Sequence, residues 1–421
     1  MLSRIILLLV VVRVFTLLFL LCIKISAFDH SAHLKQHEQL IRWDILHFIS
    51  TQPKLEQDWA FSSGIRTVFK LTSHHHIILA TLASTIASIA STIILFLLTL
   101  HLSDSINYST LVSLLHTFSP APSTQVVPYT EPFYALFSFA AIYLQAVSTT
   151  KYNKRIPFII KILAALLTAL ATSFRSIGVI QTLQWIPDYY QQVIQLLPLV
   201  HPKKITTLIR LGVYSFQTLV LALITCSPFI YDQWKAYQHF CITPLRSDQS
   251  IRPWCSNRIP TIYGFVQAHY WNNGFLNYWT WGQAPLFALS LPVYMASFGG
   301  IWSYYWARLQ PQNRTPTDRK MTARPFLDPR IAIHVHIQLA ITLILLFFSH
   351  VQIFLRQAST LPAFWWGLAD GIHRHWHASS AGSKSSSSST PSSTYWAWWF
   401  PWIVAWTPIS VVLWAGFYPP A

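Results

Sequence analysis

Charge is what this chain has least of. Only 10% of its 421 residues are Asp, Glu, Lys or Arg, and the acids number 13. A soluble domain carries roughly 25% charged residues, so the scarcity excludes an ordinary water-soluble globule. What remains is 53% hydrophobic, with a mean hydropathy of +0.39. The apolar runs hold almost no acids, Asp188 excepted. Ion- and proton-coupled transporters place ionisable groups within their spans, so this distribution speaks against a conduit. A compact basic domain is missing too. The net charge is +16, but Lys and Arg lie mostly in short loops beside apolar runs, the positive-inside pattern. They form no nucleic-acid footprint. The runs HHH (74–76) and HRHWH (373–377) lack Cys or carboxylate partners at ligand spacing, so no metal site is expected there.

Several apolar runs reach the roughly 20 residues that cross a bilayer. The chain reads as one integral membrane domain (1–421), all-α and polytopic, with about eight to ten transmembrane helices. The opening MLSRIILLLVVVRVFTLLFLLCI has a longer apolar run than the roughly 7–15 residues of a signal peptide, and no clean cleavage site follows. It reads as a retained first span with Arg4 cytosolic. Alternation then predicts spans over 3–23, 77–101, 108–125, 132–149, 156–173, 177–198, 205–231, 284–308, 331–355 and 395–417, with both ends cytosolic. Segment 177–198, with Pro187, Asp188 and several Gln, reads as weak or broken. Loops 24–76 and 232–282 share the far side with a flexible Ser-rich linker, 379–394. The sequons at Asn107 and Asn313 fall on the cytosolic side, where no glycan is added.

The acids then become informative. Asp29, Glu38, Asp44, Glu56 and Asp58 sit in the first far-side loop, and Glu131, Asp232, Asp248 and Asp370 are expected on the same side. Acids at the mouth of a bundle suit an enzyme working at the membrane surface. Asp44 lies in RWDILHF. Desolvation against aromatic bulk raises a carboxylate's basicity, which suits a general base; a helix cap or a pair with Arg42 is the structural alternative. Other far-side ends carry Arg175 (FRSIG), Glu131 (YTEP), and His350, Gln352 and Arg356 (SHVQIFLR). Residues 266–279, VQAHYWNNGFLNYW, hold five aromatics, three Asn and no charged side chain. Gln267, His269, Tyr270, Trp271, Asn272 and Asn273 suit sugar hydroxyls and ring faces, and Arg or His suits a phosphate. The same stretch also fits an interfacial aromatic belt. Cys241 and Cys255 share the second far-side loop; they are placed to pair if that side is oxidising, or remain two free thiols.

Taken together and in order, RWDILHF (42–48), EQDWAF (56–61), YTEP (129–132), FRSIG (174–178), PWC (253–255), YGFVQAHYWNNGFLNYWTWGQAP (263–285) and SHVQIFLR (349–356) resemble the GPI mannosyltransferase 2 family. The resemblance implies a GT-C-type helical bundle in the endoplasmic reticulum membrane with luminal active-site loops. It implies dolichyl-phosphate-mannose as donor, with no resident cofactor, and a monomannosylated glycosylphosphatidylinositol (GPI) precursor as acceptor. The linkage would be α-1,6, formed with inversion. It implies Asp44 as base, with Glu56 or Asp58 as second candidates. Arg175, His350 and Arg356 would face the lipid phosphate. Gln267, His269, Tyr270, Trp271 and Asn272 would line the sugar path, with Glu131, Gln283 and Gln352 as further substrate contacts. Metal independence is expected, and the fungal family suggests a small membrane subunit as partner. Two motifs depart from the family pattern: Ile177 stands where an Asn is usual, and Ser62-Ser63-Gly64 replaces Phe-Pro-Gly. A lipid-linked glycosyltransferase with another acceptor, or a transporter or non-catalytic subunit, are the competing readings.

Overall fold

The structure, a computed structural model, describes residues 2–26, 28, 38–49, 55–72, 77–151, 156–196, 205–243, 252–309, 324–380 and 394–418. No strand occurs among them. The bundle is built from Leu2–Cys22 (α1), Ile77–Ser103 (α2), Ile106–Thr117 (α3), Glu131–Lys151 (α4), Phe158–Phe174 (α5), Ile186–Leu196 (α6), Ile205–Tyr237 (α7), Ala284–Leu309 (α8), Ala332–Phe348 (α9), Pro362–Ser380 (α10) and Trp399–Ala415 (α11). Of these, α1, α2, α4, α7, α8 and α9 are long and apolar enough to cross a bilayer, and α5 and α11 are shorter apolar helices. The all-α membrane architecture expected from the sequence is what folds.

Helix α2 shows how the packing works. Its buried face carries Ala80, Ser84, Ala87, Ser88 and Ser91 at helical spacing, and it packs on α3 and α4. Small side chains let backbones approach where lipid offers no hydrophobic drive between helices. Their hydroxyls return to the helix, as Thr92 Oγ1 does to the Ser88 carbonyl at 3.0 Å.

Three expected spans are not single helices. The span placed at 108–125 is helical only to Thr117. The next stretch, with Pro120, Pro122 and Pro128, lacks backbone donors for a helix and winds buried through the protein to Tyr129. Non-helical backbone is tolerated at membrane depth when protein covers it, and here Trp406 Nε1 donates to the Pro120 carbonyl at 2.7 Å. The segment 177–198 is broken: a 3₁₀ helix over Ser176–Trp185 leads into α6. Gln181 and Gln184 of the 3₁₀ helix face protein, whereas Gln191 in α6 is exposed. Gln181 donates to Tyr134, Gln184 to Thr168, and Gln145 to Gln184, and Asp188 pairs with Lys161. The span at 331–355 ends at Phe348; a turn and the short helix Ile353–Gln357 follow.

One pass was missing from the sequence reading. Helix α10 leaves the end of the bundle that holds Arg356 and runs to the other end. There Arg324 Nε donates to Asp370 at 3.0 Å and Arg374 Nε at 3.1 Å. Asp370 therefore sits opposite the other acids, not with them. The first half of α10, with Phe364, Trp365, Trp366, Leu368 and Ile372, is buried in protein, so it needs no long lipid-facing run. Gly367 meets Gly300 of α8 so closely that a Cβ at Gly367 would lie 3.0 Å from the Gly300 Cα.

The extra pass also changes the termini. The end of α11 lies against the first loop: Phe28 N–H donates to the Gly416 carbonyl at 2.8 Å and Arg42 to Ala415. The end of α1 meets the same loop through Gln39 and Ile23. Since α1 and α11 both finish there, the chain begins and ends at opposite ends of the bundle, contrary to the expected pairing of both ends on one side. The helix leading into the Ser-rich segment likewise heads away from the first loop. Residues 381–393, like Asp29, Asp248, Asn313 and HHH (74–76), lie outside the described residues, and of Glu38 only the backbone is described.

Candidate active site

Residues of the first and second far-side loops, together with the entry to α4, the ends of α5 and α9 and the turn to Arg356, enclose a cavity of about 350 Å³. Asp44 reaches it through a bent WD dipeptide. Trp43 has φ of 53°, a left-handed conformation rare for a bulky side chain. Stacking on Phe417 at 4.9 Å holds it there. Asp44 then opens the short helix Ile45–Phe48, whose Ile45 and Phe48 are buried anchors, and its side chain makes no cap bond. The carboxylate turns to the cavity instead.

There it meets Tyr129, whose hydroxyl donates to Asp44 Oδ2 at 2.6 Å, and Arg356, whose Nη1 lies 3.0 Å from the same oxygen. Arg42 is occupied with the Ala415 carbonyl at 3.3 Å. Glu131 lies behind this pair, fully buried, bonded by Arg175 and 3.4 Å from Arg356 Nε. Asp44 keeps 26% of its side-chain surface open, so it is the one of these two acids that faces the cavity space.

Burial pushes the Asp44 carboxyl upward, but Arg356, the Tyr129 hydrogen bond, Arg175 and His47 outweigh it, and it ends below its ordinary value of 3.8. The expected rise in basicity is therefore reversed in the resting site, because desolvation is opposed by cations. The His350 imidazole moves down: burial leads, with Arg356 adding to it, against the Trp271 carbonyl bond and Asp44. Its Nε2 lies 2.9 Å from that carbonyl, and its ring stacks on Tyr278 at 4.6 Å. A neutral His350 leaves Arg175 and Arg356 as the cations of the cavity wall.

Of the residues singled out from sequence, Asp44, Arg175, Gln267, Trp271, His350, Gln352 and Arg356 line the cavity together. Glu56 and Asp58 do not. Glu56 accepts from Trp254 Nε1 at 2.9 Å and Tyr270 at 2.7 Å. Asp58 lies 2.7 Å from His47 Nδ1 and accepts the Leu55 N–H. Both bind the two loops' own structure. Tyr270 is thus directed at Glu56, and His269 stacks on Phe265. Asn272 forms a left-handed turn with φ of 49°, and Gln283 sits in the 3₁₀ turn before α8. Cys241 and Cys255 are joined as a disulfide, which holds Trp254 beside Glu56. Asn273, named among the amides of the aromatic stretch, also lines the cavity; Tyr129 was not singled out, although it lay inside a quoted motif directly before Thr130-Glu131. Both departures from the family pattern, Ile177 and Ser62, line the cavity.

A family model described as Mannosyltransferase (PIG-V) matches residues 13–421. The chain belongs to the mannosyltransferase (PIG-V) family. It is 30% identical over 399 residues to a GPI mannosyltransferase 2 of Cryptococcus neoformans, covering 90% of this chain and 88% of that one. It is 30% identical over 403 residues to the Aspergillus oryzae protein of the same name, covering 91% and 82%. The archaeal oligosaccharyltransferase of Archaeoglobus fulgidus aligns structurally over 97% of this chain and 55% of that one, at 11% identity and a TM-score of 0.46. In this mannosyltransferase, the family match spans every residue that lines the cavity, from Trp43 to Arg356.

Proposed function

We propose that this mannosyltransferase moves mannose from dolichyl-phosphate-mannose to the monomannosylated GPI precursor, forming an α-1,6 bond with inversion. The observation that carries this reading is Asp44, open to the cavity beside two arginines and facing an amide- and aromatic-rich wall. Inversion of a β-mannosyl phosphate needs a base on one face of the sugar and a stabilised phosphate on the other. Asp44 takes the proton of the acceptor hydroxyl. The freed oxygen attacks C1, the C1–phosphate oxygen bond breaks, and dolichyl phosphate leaves against Arg175 and Arg356. Gln267, Gln352, Asn273 and Trp271 hold the sugars by amide hydrogen bonds and a flat ring face. With guanidinium groups serving a monophosphate, the reaction needs no divalent metal. The same reading puts the enzyme in the endoplasmic reticulum membrane with the cavity luminal. Both lipid substrates arrive from that membrane, and a small membrane subunit is its partner.

Cells lacking the second mannosyltransferase of GPI assembly test this reading. Wild-type protein is expected to clear the accumulated one-mannose intermediate, and Asp44→Asn at equal expression to leave it. A folded, membrane-inserted wild-type protein that leaves the intermediate untouched contradicts the assigned acceptor.

A further inference from the structure

The charges at and directly behind this cavity cancel before any substrate arrives. Asp44 and Glu131 are matched by Arg175 and Arg356, His350 is neutral, and no further Lys or Arg lines the cavity among the described residues. An anionic phosphate therefore meets no cation that lacks an acid already beside it. Arg356 is the shared member. It bridges Asp44 and Glu131, contacts the Tyr129 hydroxyl, and lies over the Tyr129 ring at 5.1 Å. Its Nε, 3.4 Å from Glu131, makes no hydrogen bond.

We propose that Arg356 is a travelling counter-ion, neutralising Asp44 in the resting site and passing to the lipid phosphate as Asp44 takes up the acceptor's proton. The inference rests on the reading of Asp44 as base. The transfer removes one negative charge at Asp44 and creates one on the departing phosphate oxygen. A planar guanidinium with five N–H donors can release one acceptor while keeping another. Glu131, buried between both arginines, is the fixed acid that keeps Arg356 in place. The Tyr129 ring is the surface it rests on. Tyr129 and Glu131 are thus positioning residues: neither lines the cavity. The other charged and titratable groups acting on Asp44 are Arg175, His47 and His350, and the cycle below leaves all three unchanged.

The consequence is a coupling between two events, the neutralisation of Asp44 and the binding of a phosphate monoester. Full-length protein in lipid nanodiscs is titrated with dolichyl phosphate. The set is wild type, Asp44→Asn, Arg356→Gln and the double variant. Asn imitates the protonated acid, so Asp44→Asn is expected to bind dolichyl phosphate about fivefold tighter or more, an ordinary size for coupled sites. The gain is expected to vanish in the Arg356→Gln background, which is how such a cycle isolates a pair. A smaller gain, or one that survives without Arg356, overturns the proposal. If Arg356→Gln does not fold, Arg356→Lys replaces it; a point charge cannot bridge two acceptors in the same way, so the full gain in that background is equally contradictory. Turnover by Asp44→Asn, measured in parallel, would defeat the base assignment alone and leave the binding cycle to decide the counter-ion.

Discussion

At the scale of single residues, the decisive feature is that Asp44 is both desolvated and ion-paired. A carboxylate held below its ordinary range is ionised throughout the neutral region. Since the base must be ionised to act, lowering the pH from 7 to 5 is expected to leave kcat/KM for the donor unchanged, with any acid limb below the usual carboxylate range. Removing Arg356 leaves burial opposed only by the weaker partners, so in Arg356→Gln that limb moves to higher pH. A pH–rate profile of both proteins checks the sign. Glu56 makes the contrast. Truncating it to Ala strands the Trp254 and Tyr270 donors, which costs about 1–3 kcal/mol. Glu56→Ala is therefore expected to lower the thermal midpoint while the folded fraction keeps its kcat. The sequence made Asp44, Arg175 and Arg356 legible because charge is so rare here that each position is informative. It could not separate Asp44 from Glu56 and Asp58. All three sit in aromatic settings on one loop, and only the tertiary partners Tyr129, Trp254 and His47 tell them apart.

At the scale of elements, the cavity wall is a pair of loops fastened to each other. The Cys241–Cys255 disulfide holds the Pro253–Ser256 turn, Trp254 reaches Glu56, and Tyr270 reaches it from the next helix. Closing a loop of this length is worth about 3 kcal/mol in the chain-entropy view. Cys255→Ser is expected to raise the substrate KM more than it lowers kcat, because Trp271 and Gln267 lose their backing while Asp44 and Arg356 do not. Steady-state kinetics of the purified variant distinguish the two. Gly178 shows why the FRSIG motif ends as it does. A Cβ there would stand 2.6 Å from Thr172 Oγ1 and 2.7 Å from its Cα, so the 3₁₀ segment turns back against α5 only over glycine. The break in 177–198 was visible from Pro187 and its glutamines. The end of the helix near Thr117 was equally marked, by Pro120, Pro122 and Pro128, but the buried course of the backbone to Tyr129 was not, because only tertiary cover separates it from an exposed loop.

At the scale of the whole molecule, α10 reverses the relation between the termini. Its sequence conceals a pass: the buried PAFWWGLADGI is followed at once by HRHWH and then by serines, a profile that reads as a loop. Tertiary burial, not hydropathy, makes it cross, with Asp370 neutralised by Arg324 and Arg374 at the far end. The proposed luminal cavity carries a test: a glycosylation acceptor site appended after Ala421 is expected to be modified, and one placed before Met1 is not. Asn107, at the start of α3 on the side opposite the cavity, is expected to stay bare. Mobility shifts on glycosidase treatment read all three. The arginine-lined site carries a further whole-enzyme expectation, namely that turnover survives exhaustive chelation by EDTA.

In the proposed mechanism one cavity performs mannosyl transfer with Asp44 as its base. The most direct measurement is single-enzyme turnover in nanodiscs with dolichyl-phosphate-mannose and the one-mannose GPI precursor. The product is analysed for linkage and anomeric configuration, and Asp44→Asn is compared with wild type at matched thermal midpoints. Wild type is expected to yield an α-1,6-linked two-mannose lipid, and the variant to lose kcat by about 10²–10⁴, the usual contribution of a positioned base. An Asp44→Asn enzyme within tenfold of wild type, or a β-linked product, would contradict this mechanism.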